Sequence, residues 1–237
     1  MVAAHAVTSP HLNSLHTHAG AVRIFRKPVP YLIAWEIQSR LHEERLLDLQ
    51  PDTVLILEHP PVYTLGRSTR LSHWGGSESA LCADGAELHH VNRGGSVTFH
   101  GPGQIVVYPV FKLNRHAAGP RSLVRLLEEV IIQVLKLWNI TGSRIVGKPG
   151  VWIMAPEPQK IAFLGIRIER GVTLHGFALN VDVSLTPFQR IQPCGFPDCR
   201  VTSMAAVCQT AVPVGVVNQQ LAQTFATVFG LNWSTVA

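Results

Sequence analysis

Charged residues and cysteines are both scarce in this sequence of 237 residues. Charged side chains make up 15% of it and hydrophobic ones 46%, so it lacks the low-hydrophobicity, high-charge profile of disorder and can bury a sizeable core. Four cysteines are too few for a disulfide framework, and Cys194 and Cys199 do not have the spacing of the usual zinc pairs. No apolar stretch approaches the ~18 residues of a membrane span. We therefore expect no disulfide framework, no metal site and no membrane association.

The first 20 residues contain neither Lys nor Arg and no continuous apolar core, unlike a secretory signal or an Arg-rich presequence. We predict a flexible tail over 1–20 and one domain over 21–237, because no repeat or linker divides the rest. The expected location is the cytoplasm. A plastid or mitochondrial address stays open, since transit peptides are also poor in acidic residues.

The net charge of +5 favours an acidic partner. Because the basic residues are scattered singly and not clustered with aromatics, we expect an acidic protein and no nucleic acid. We expect a monomer.

Hydrophobic periodicity predicts an α+β fold with a mixed, largely antiparallel sheet. In a first helix over Tyr31–Leu49, Ile33, Ile37 and Leu41 repeat every four residues. Ser122 is expected to cap a second helix to Trp138. The remaining predicted elements are strands at 21–25, 53–58, 62–65, 89–92, 96–98, 105–110, 151–154, 160–167 and 173–181, and a last helix at 214–229.

The segment from Arg93 to Gln104, RGGSVTFHGPGQ, holds four glycines, a proline, an arginine and a histidine. Such dense glycine lets the backbone approach a ligand and leaves N–H groups free to bind it. A tight double turn between strands, with His100 as a satisfied polar residue, explains the composition equally well. The pattern is neither the phosphate loop nor the dinucleotide fingerprint.

Three further segments carry candidate chemistry. Lys160 begins the apolar run KIAFLG, where a lysine can serve as a base or keep its head in water. His175-Gly176 interrupts a strand, which permits close approach of a substrate chain or accommodates a bulge. Cys194 lies between Pro193 and Gly195 on a loop, where a nucleophile can be exposed, although a buried cysteine is the commoner case.

In order and spacing, RGGSVTFHGPGQ, QKIAFLGIRI, TLHGFALNV and PCG resemble the lipoyl(octanoyl) transferase family. The match covers roughly Leu55 to Ser203, including LEHPPVYTLG at Leu57 to Gly66. The resemblance implies the catalytic-domain fold of biotin and lipoate protein ligases, a catalytic dyad of Cys194 and Lys160, and no cofactor. It also implies a substrate-binding site formed by Arg93, Gly94, Gly95, Ser96, Val97, Thr98, Phe99, His100, Phe163, Leu164, Gly165, Gly176, Phe177 and Ala178.

The resemblance further implies octanoyl transfer from an acyl carrier protein to a lysine of a lipoyl domain, through an acyl-enzyme on Cys194. The implied acceptors are lipoyl domains of 2-oxoacid dehydrogenases and the glycine cleavage H protein. An apolar tunnel lined by Phe163, Leu164, Phe177 and Leu179 is expected to measure the acyl chain. Three alternatives stay open: an ATP-dependent lipoate or biotin ligase on the same fold, a non-enzymatic module that binds acidic proteins, and a cysteine hydrolase.

Overall fold

The structure is a computed structural model that describes residues 18–154, 156–195 and 199–234, without the side chains of Cys194 and Ser234. The strands are β1 (His18–Ile24), β2 (Asp52–Leu57), β3 (Val62–Leu65), β4 (Glu87–His90), β5 (Val97–His100), β6 (Gln104–Val110), β7 (Ser143–Ile145), β8 (Lys148–Ile153), β9 (Gln159–Glu169), β10 (Val172–Asn180), β11 (Arg200–Val201) and β12 (Leu231–Ser234). The helices are α1 (Tyr31–Leu46), α2 (Glu78–Leu81), α3 (Pro120–Lys136), α4 (Met204–Cys208) and α5 (Val214–Phe229).

Within the described residues, nine strands form the main sheet in the order β12-β1-β2-β6-β10-β9-β8-β7, with β11 beside β9. The pairs β12–β1, β1–β2 and β11–β9 are parallel and the others antiparallel. A small sheet, β4-β3-β5, lies apart from it. The predicted α+β class with a mixed, largely antiparallel sheet is confirmed.

Alternation along the strands gives the main sheet two buried faces. On β2, Val54 and Ile56 pack against α3 and α5, whereas Leu55 and Leu57 face α1. A third cluster joins the small sheet to the end of β9 and to a turn after β10, through Tyr63, Leu65, Val97, Phe99, Phe163, Phe188 and Ile191. On the α1 side of the main sheet, the side chains of β6 and β10 are therefore covered by α1, and Phe163 of β9 is covered by the small sheet.

Of the three repeating apolar positions on α1, Leu41 is buried and Ile37 packs against the same cluster, whereas Ile33 is 47% exposed. Polar residues occupy buried positions on this helix: the Gln38 amide oxygen accepts the backbone N–H of His175, and His42 bonds the carbonyl of Glu169. Gln38 and His42 thus pair with backbone groups, and Arg45 forms an ion pair. An apolar repeat alone therefore does not identify the buried face of α1.

Two predicted boundaries also need correction. Residues 18–20, placed in the tail, belong to β1, where His18 donates its backbone N–H to Gly230 and pairs with β12. Gly119, and not Ser122, is the N-cap of α3; the Ser122 hydroxyl bonds the backbone of Gly119 from the third helical position. The rest of the predicted tail, residues 1–17, lies outside the described residues.

No helix in the described part of the chain combines the length and hydropathy needed to cross a bilayer.

Candidate functional site

The glycine-rich segment and the middle of β9 and β10 surround one cavity on the α1 side of the main sheet. Its empty volume is about 480 Å³, including space open to solvent. The residues that line it are Tyr31, Arg93, Gly95, Ser96, Val97, Thr98, His100, Val106, Tyr108, Phe163, Leu164, Gly165, His175, Gly176, Phe177 and Ala178. All the predicted substrate-binding residues except Gly94 and Phe99 are among them, so three segments distant in sequence meet at one place.

Phe99 and Gly94, which do not line the cavity, have structural roles. The Phe99 ring packs against Tyr63 at 5.1 Å and Phe188 at 5.7 Å, beneath the small sheet. Gly94 donates its backbone N–H to Ile166 and so ties the segment to β9. Leu179, expected in the acyl tunnel, instead belongs to the core beneath α3 and α5, and so do the ring of Phe177, which stacks on Phe225, and the side chain of Leu164. Alternation along β10 therefore takes Leu179 away from the cavity.

Gly176 allows β10 to approach β6 closely within the sheet. A Cβ at this position would lie 2.0 Å from the carbonyl oxygen of Val107 on β6. His175 before it has a φ of 58°, a left-handed conformation that few side chains adopt. The close approach is to a neighbouring strand, and β10 runs through the position as a continuous strand.

Arg93 organises the glycine-rich segment from within. Its guanidinium donates to the carbonyl and hydroxyl oxygens of Thr64 on β3, at 2.7 and 2.9 Å, and to the carbonyl oxygen of Gly94 at 3.0 Å. These bonds fix the loop between the small sheet and the cavity.

Three buried histidines surround the cavity. His100 lines it, and burial, together with nearby His59, lowers the pKa of His100 well below its usual range. Burial also lowers the pKa of His59 to about 4 and that of His175 to about 3. All three rings are neutral at neutral pH, so they act there as hydrogen-bonding groups without charge.

A chain of hydrogen bonds runs from His100 toward Lys160. His100 Nδ1 donates to Gln104 Oε1 at 2.6 Å, and Gln104 Nε2 donates to Asn180 Oδ1 at 2.9 Å. Asn180 Nδ2 donates to the carbonyl of Thr202 at 2.9 Å, and the Thr202 N–H donates to the carbonyl of Lys160. The orientation of the imidazole and amides is assigned from this network. One continuous series of hydrogen bonds thus connects His100 to the backbone of Lys160.

Lys160 is fully buried near the Phe163 end of the cavity. Its Nζ donates to the carbonyl oxygen of Pro149 at 2.7 Å and lies 5.2 Å from the centre of the Phe163 ring. Gly150, with a φ of 123°, makes room for it, since a Cβ there would lie 2.7 Å from Lys160 Cε. The amine is held between β8 and β11, which flank β9.

The predicted nucleophile lies in a 3₁₀ turn over Pro193–Gly195, and the side chain of Cys194 lies outside the described part of the structure. Its proximity to Lys160 stays a prediction. Gly195 packs against His73, whose carbonyl accepts the N–H of Gln192 at 2.7 Å. His73 Nδ1 bonds the Ser96 hydroxyl at 2.6 Å. The turn is thereby connected to the glycine-rich segment.

The sequence reasoning missed Tyr31, Val106, Tyr108 and the contact made by His73. His175 lies in a segment that the sequence already marked as a candidate. Tyr31, Val106, Tyr108 and His73 come from α1, β6 and a loop, and their local sequence does not indicate a functional role. They reach the site only because the sheet and the small sheet bring them there.

A second cavity lies beside the first and shares Tyr31 and His175 with it. Its empty volume is about 760 Å³, again including space open to solvent. Leu32, Trp35, His89, His90, Val91 and Asn92 complete its lining.

Comparisons with known proteins agree with this geometry. Residues 30–226 match the family model of the lipoyl protein ligase A/B catalytic domain. An octanoyltransferase from Thermobifida fusca is 44% identical over 209 residues, which cover 86% of each chain. One from Chloroflexus aggregans is 42% identical over 204 residues, covering 86% of this chain and 92% of the relative. A solved structure of a putative lipoate protein ligase from T. acidophilum shares the fold, with a TM-score of 0.66, 13% identity and coverage of 91% and 87%.

Proposed function

Because the chain belongs to the octanoyltransferase family, with the lipoyl protein ligase A/B catalytic domain, and is an acyltransferase, we propose that it transfers octanoyl from an acyl carrier protein to a lysine of a lipoyl domain. The proposed acceptors are the lipoyl domains of 2-oxoacid dehydrogenases and the glycine cleavage H protein. The supporting observation is a single cavity lined by the glycine-rich segment, β9 and β10, with a buried lysine amine near one end.

The first step forms the acyl-enzyme. A cysteine thiol of ordinary pKa, about 8.5, is mostly protonated at neutral pH, so a base is needed. The amine of Lys160 takes the proton of Cys194, and the thiolate attacks the thioester carbonyl of the donor. A new C–S bond forms to Cys194, the carrier's C–S bond breaks, and the departing thiolate takes the proton from Lys160.

The second step forms the product amide. The acceptor's lysine amine attacks the acyl carbonyl on Cys194, a C–N bond replaces the C–S bond, and the proton lost by nitrogen returns to the thiolate through Lys160. An amide is more stable than a thioester, so the reaction needs no ATP. Backbone N–H groups of the glycine-rich segment are the proposed stabilisers of the oxyanion, at ~3 kcal/mol for each such donor.

Apolar lining supports the choice of an acyl substrate. Phe163, Val97 and Val106 line the wall with apolar side chains, and each buried methylene of a ligand contributes ~0.8 kcal/mol.

The decisive experiment mixes the protein with octanoyl-acyl carrier protein and measures its intact mass. We expect one octanoyl adduct on the wild type and on the control C82S, and none on C194A. Acyl transfer that proceeds undiminished in C194S contradicts the covalent mechanism. Free octanoate with ATP, supplied in place of the carrier, tests the ligase alternative: amide formation under those conditions overturns the proposal.

Lys160→Met tests the proposed base. We expect adduct formation to slow by about 100-fold or more, because general bases typically contribute factors of this size. Accumulation of free octanoate in the presence of a lipoyl domain would instead identify a hydrolase.

A further inference from the structure

Tyr31 stands between two cavities. It is the first residue of α1, is 4% exposed, and lines both the 480 Å³ cavity and the 760 Å³ cavity. Its ring stacks on His89 at 5.4 Å and lies 5.4 Å from the ring of His59. Its hydroxyl has no hydrogen-bond partner among the described residues. The ring is therefore held by packing and not by a polar contact.

The first cavity runs along the strands. Phe163 pairs with Ala178, and three residues further along β9, Ile166 pairs with His175. Three residues of strand correspond to about 10 Å. Phe163 is the end near the Lys160 amine, whereas His175 and Tyr31 mark the other end. A chain bound as a thioester of Cys194, in the 193–195 turn, would thus point its last carbons at Tyr31.

The space beyond Tyr31 has apolar side chains on part of its wall, beside three histidines and an asparagine. The second cavity carries Leu32, Trp35 and Val91, and Leu32 is 52% exposed. His175, the other shared residue, is anchored by a 2.7 Å bond to Asn92 and by stacking on Trp35. Of the two shared side chains, Tyr31 is the one whose removal breaks no side-chain hydrogen bond in the described part of the chain.

We propose that Tyr31 is a specificity-determining residue that ends the acyl pocket, and that removing its ring joins the two cavities and admits chains longer than octanoyl. The inference rests on the proposed function. The distal carbons of the octanoyl group are the proposed occupant of the first cavity beside Tyr31. The extra carbons of a longer chain are the proposed occupant of the second cavity.

The test compares wild type, Y31A and the matched control Y31F with octanoyl, dodecanoyl and hexadecanoyl carrier proteins, and measures the rate of adduct formation by intact mass. In Y31A we expect the dodecanoyl-to-octanoyl rate ratio to rise by about tenfold, because added methylenes gain apolar contacts. Y31F keeps the ring and should keep the wild-type ratio. An unchanged ratio in folded Y31A overturns the proposal.

Two further variants keep the result decisive. If Y31A does not fold, Y31L removes the planar ring while retaining apolar volume, and its ratio decides the question. Y31A/V91W fills the second cavity and should lose the gain in the dodecanoyl-to-octanoyl rate ratio. A wild type that no carrier thioester acylates refutes the proposed function, whereas normal octanoyl transfer with an unchanged Y31L or Y31A ratio refutes the role of Tyr31 alone.

Discussion

Two buried polar clusters lie at opposite ends of β2, and they compensate burial in opposite ways. At one end, Asp52 accepts bonds from Arg45 at 2.6 Å, from the backbone N–H of Lys112 at 2.9 Å and from His116 at 2.7 Å. Within the described residues, only Arg45 Nη2 of this ion cluster lacks a partner.

At the other end, the cluster of His59, His100 and His175 keeps its imidazoles neutral. It leaves Tyr31 Oη, Thr98 Oγ1 and His175 Nδ1 without hydrogen-bond partners in the part of the chain that the structure describes. A buried charge needs a partner, whereas neutral groups can leave bonding capacity unused at lower cost. Among the described residues, the ion cluster thus makes nearly all of its hydrogen bonds, whereas the imidazole cluster has polar atoms to which a ligand can bond.

The largest expected effect comes from breaking the ion cluster. Asp52→Asn leaves His116 without a carboxylate and Arg45 with only the exposed carboxylate of Asp48, and we expect the free energy of unfolding to fall by about 3–5 kcal/mol. Urea unfolding at neutral pH measures it. Asp48→Asn is the control, because Asp48 is exposed and its loss should matter far less. Equal effects of the two changes would contradict the assigned role of Asp52.

Acid should act first on the imidazole cluster. Unfolded histidines titrate near 6.5, but folded His59 and His175 titrate near 4 and 3, so the unfolded chain binds more protons between these values. The free energy of unfolding is therefore highest above pH 6.5 and falls as the pH drops toward the folded pKa values, by about 3 kcal/mol from His59 alone. The folded pKa of Asp52 is lowered, so its contribution is lost only at still lower pH.

Denaturant unfolding at a series of pH values from 7 to 4 checks this order. His59→Asn should flatten the slope, although it lowers stability at pH 7. A slope that His59→Asn leaves unchanged would mean that His59 is not the group responsible.

An intermediate effect is expected from Gln104→Leu. It removes the partner of His100 Nδ1 and Asn180 Oδ1 in a buried site, at a cost of roughly 1–3 kcal/mol in unfolding free energy. Gln133→Leu removes a bond within the partly exposed side of α3 and should change stability by less than about 0.5 kcal/mol. If both variants unfold alike, the buried chain toward Lys160 has no special role.

The smallest effect on stability is expected from Thr98→Val. No hydrogen bond of its hydroxyl is lost, so the unfolding free energy should stay within about 1 kcal/mol of wild type. If the hydroxyl is kept for a ligand, octanoyl transfer should still slow by about fivefold, measured by adduct formation. Unchanged transfer would show that the unpaired hydroxyl serves no ligand.

Local sequence predicts elements whose signal is their own periodicity. The bounds of α5 and β3 match the prediction, since each has clear punctuation and apolar content. The short strands β7 and β12 have little pattern of their own and exist through pairing, as β12 does with β1. The buried polar residues of α1 form hydrogen bonds with backbone groups that are distant in sequence. The local sequence of the helix therefore does not predict that they are buried.

The candidate site divides in the same way. Motif resemblance placed most residues of the cavity, because glycine, lysine and histidine there stand in unusual strings. Tyr31 and Tyr108 carry no such string, and the contact of His73 with Gly195 depends on how the loop at Leu71–His73 crosses the Pro193–Gly195 turn. Such contacts follow from tertiary packing alone.

The pairing of β1 with β12 bears on how the chain reaches this structure during synthesis. Residues 18–21 pair with residues 231–234, so one edge of β1 stays uncovered until those residues, more than 200 positions later, have been made. An exposed strand edge offers N–H and C=O groups to other molecules. Contacts of such long sequence separation are also slow to form. Residues 231–234 therefore cover an edge that is open to other molecules while the chain is being made.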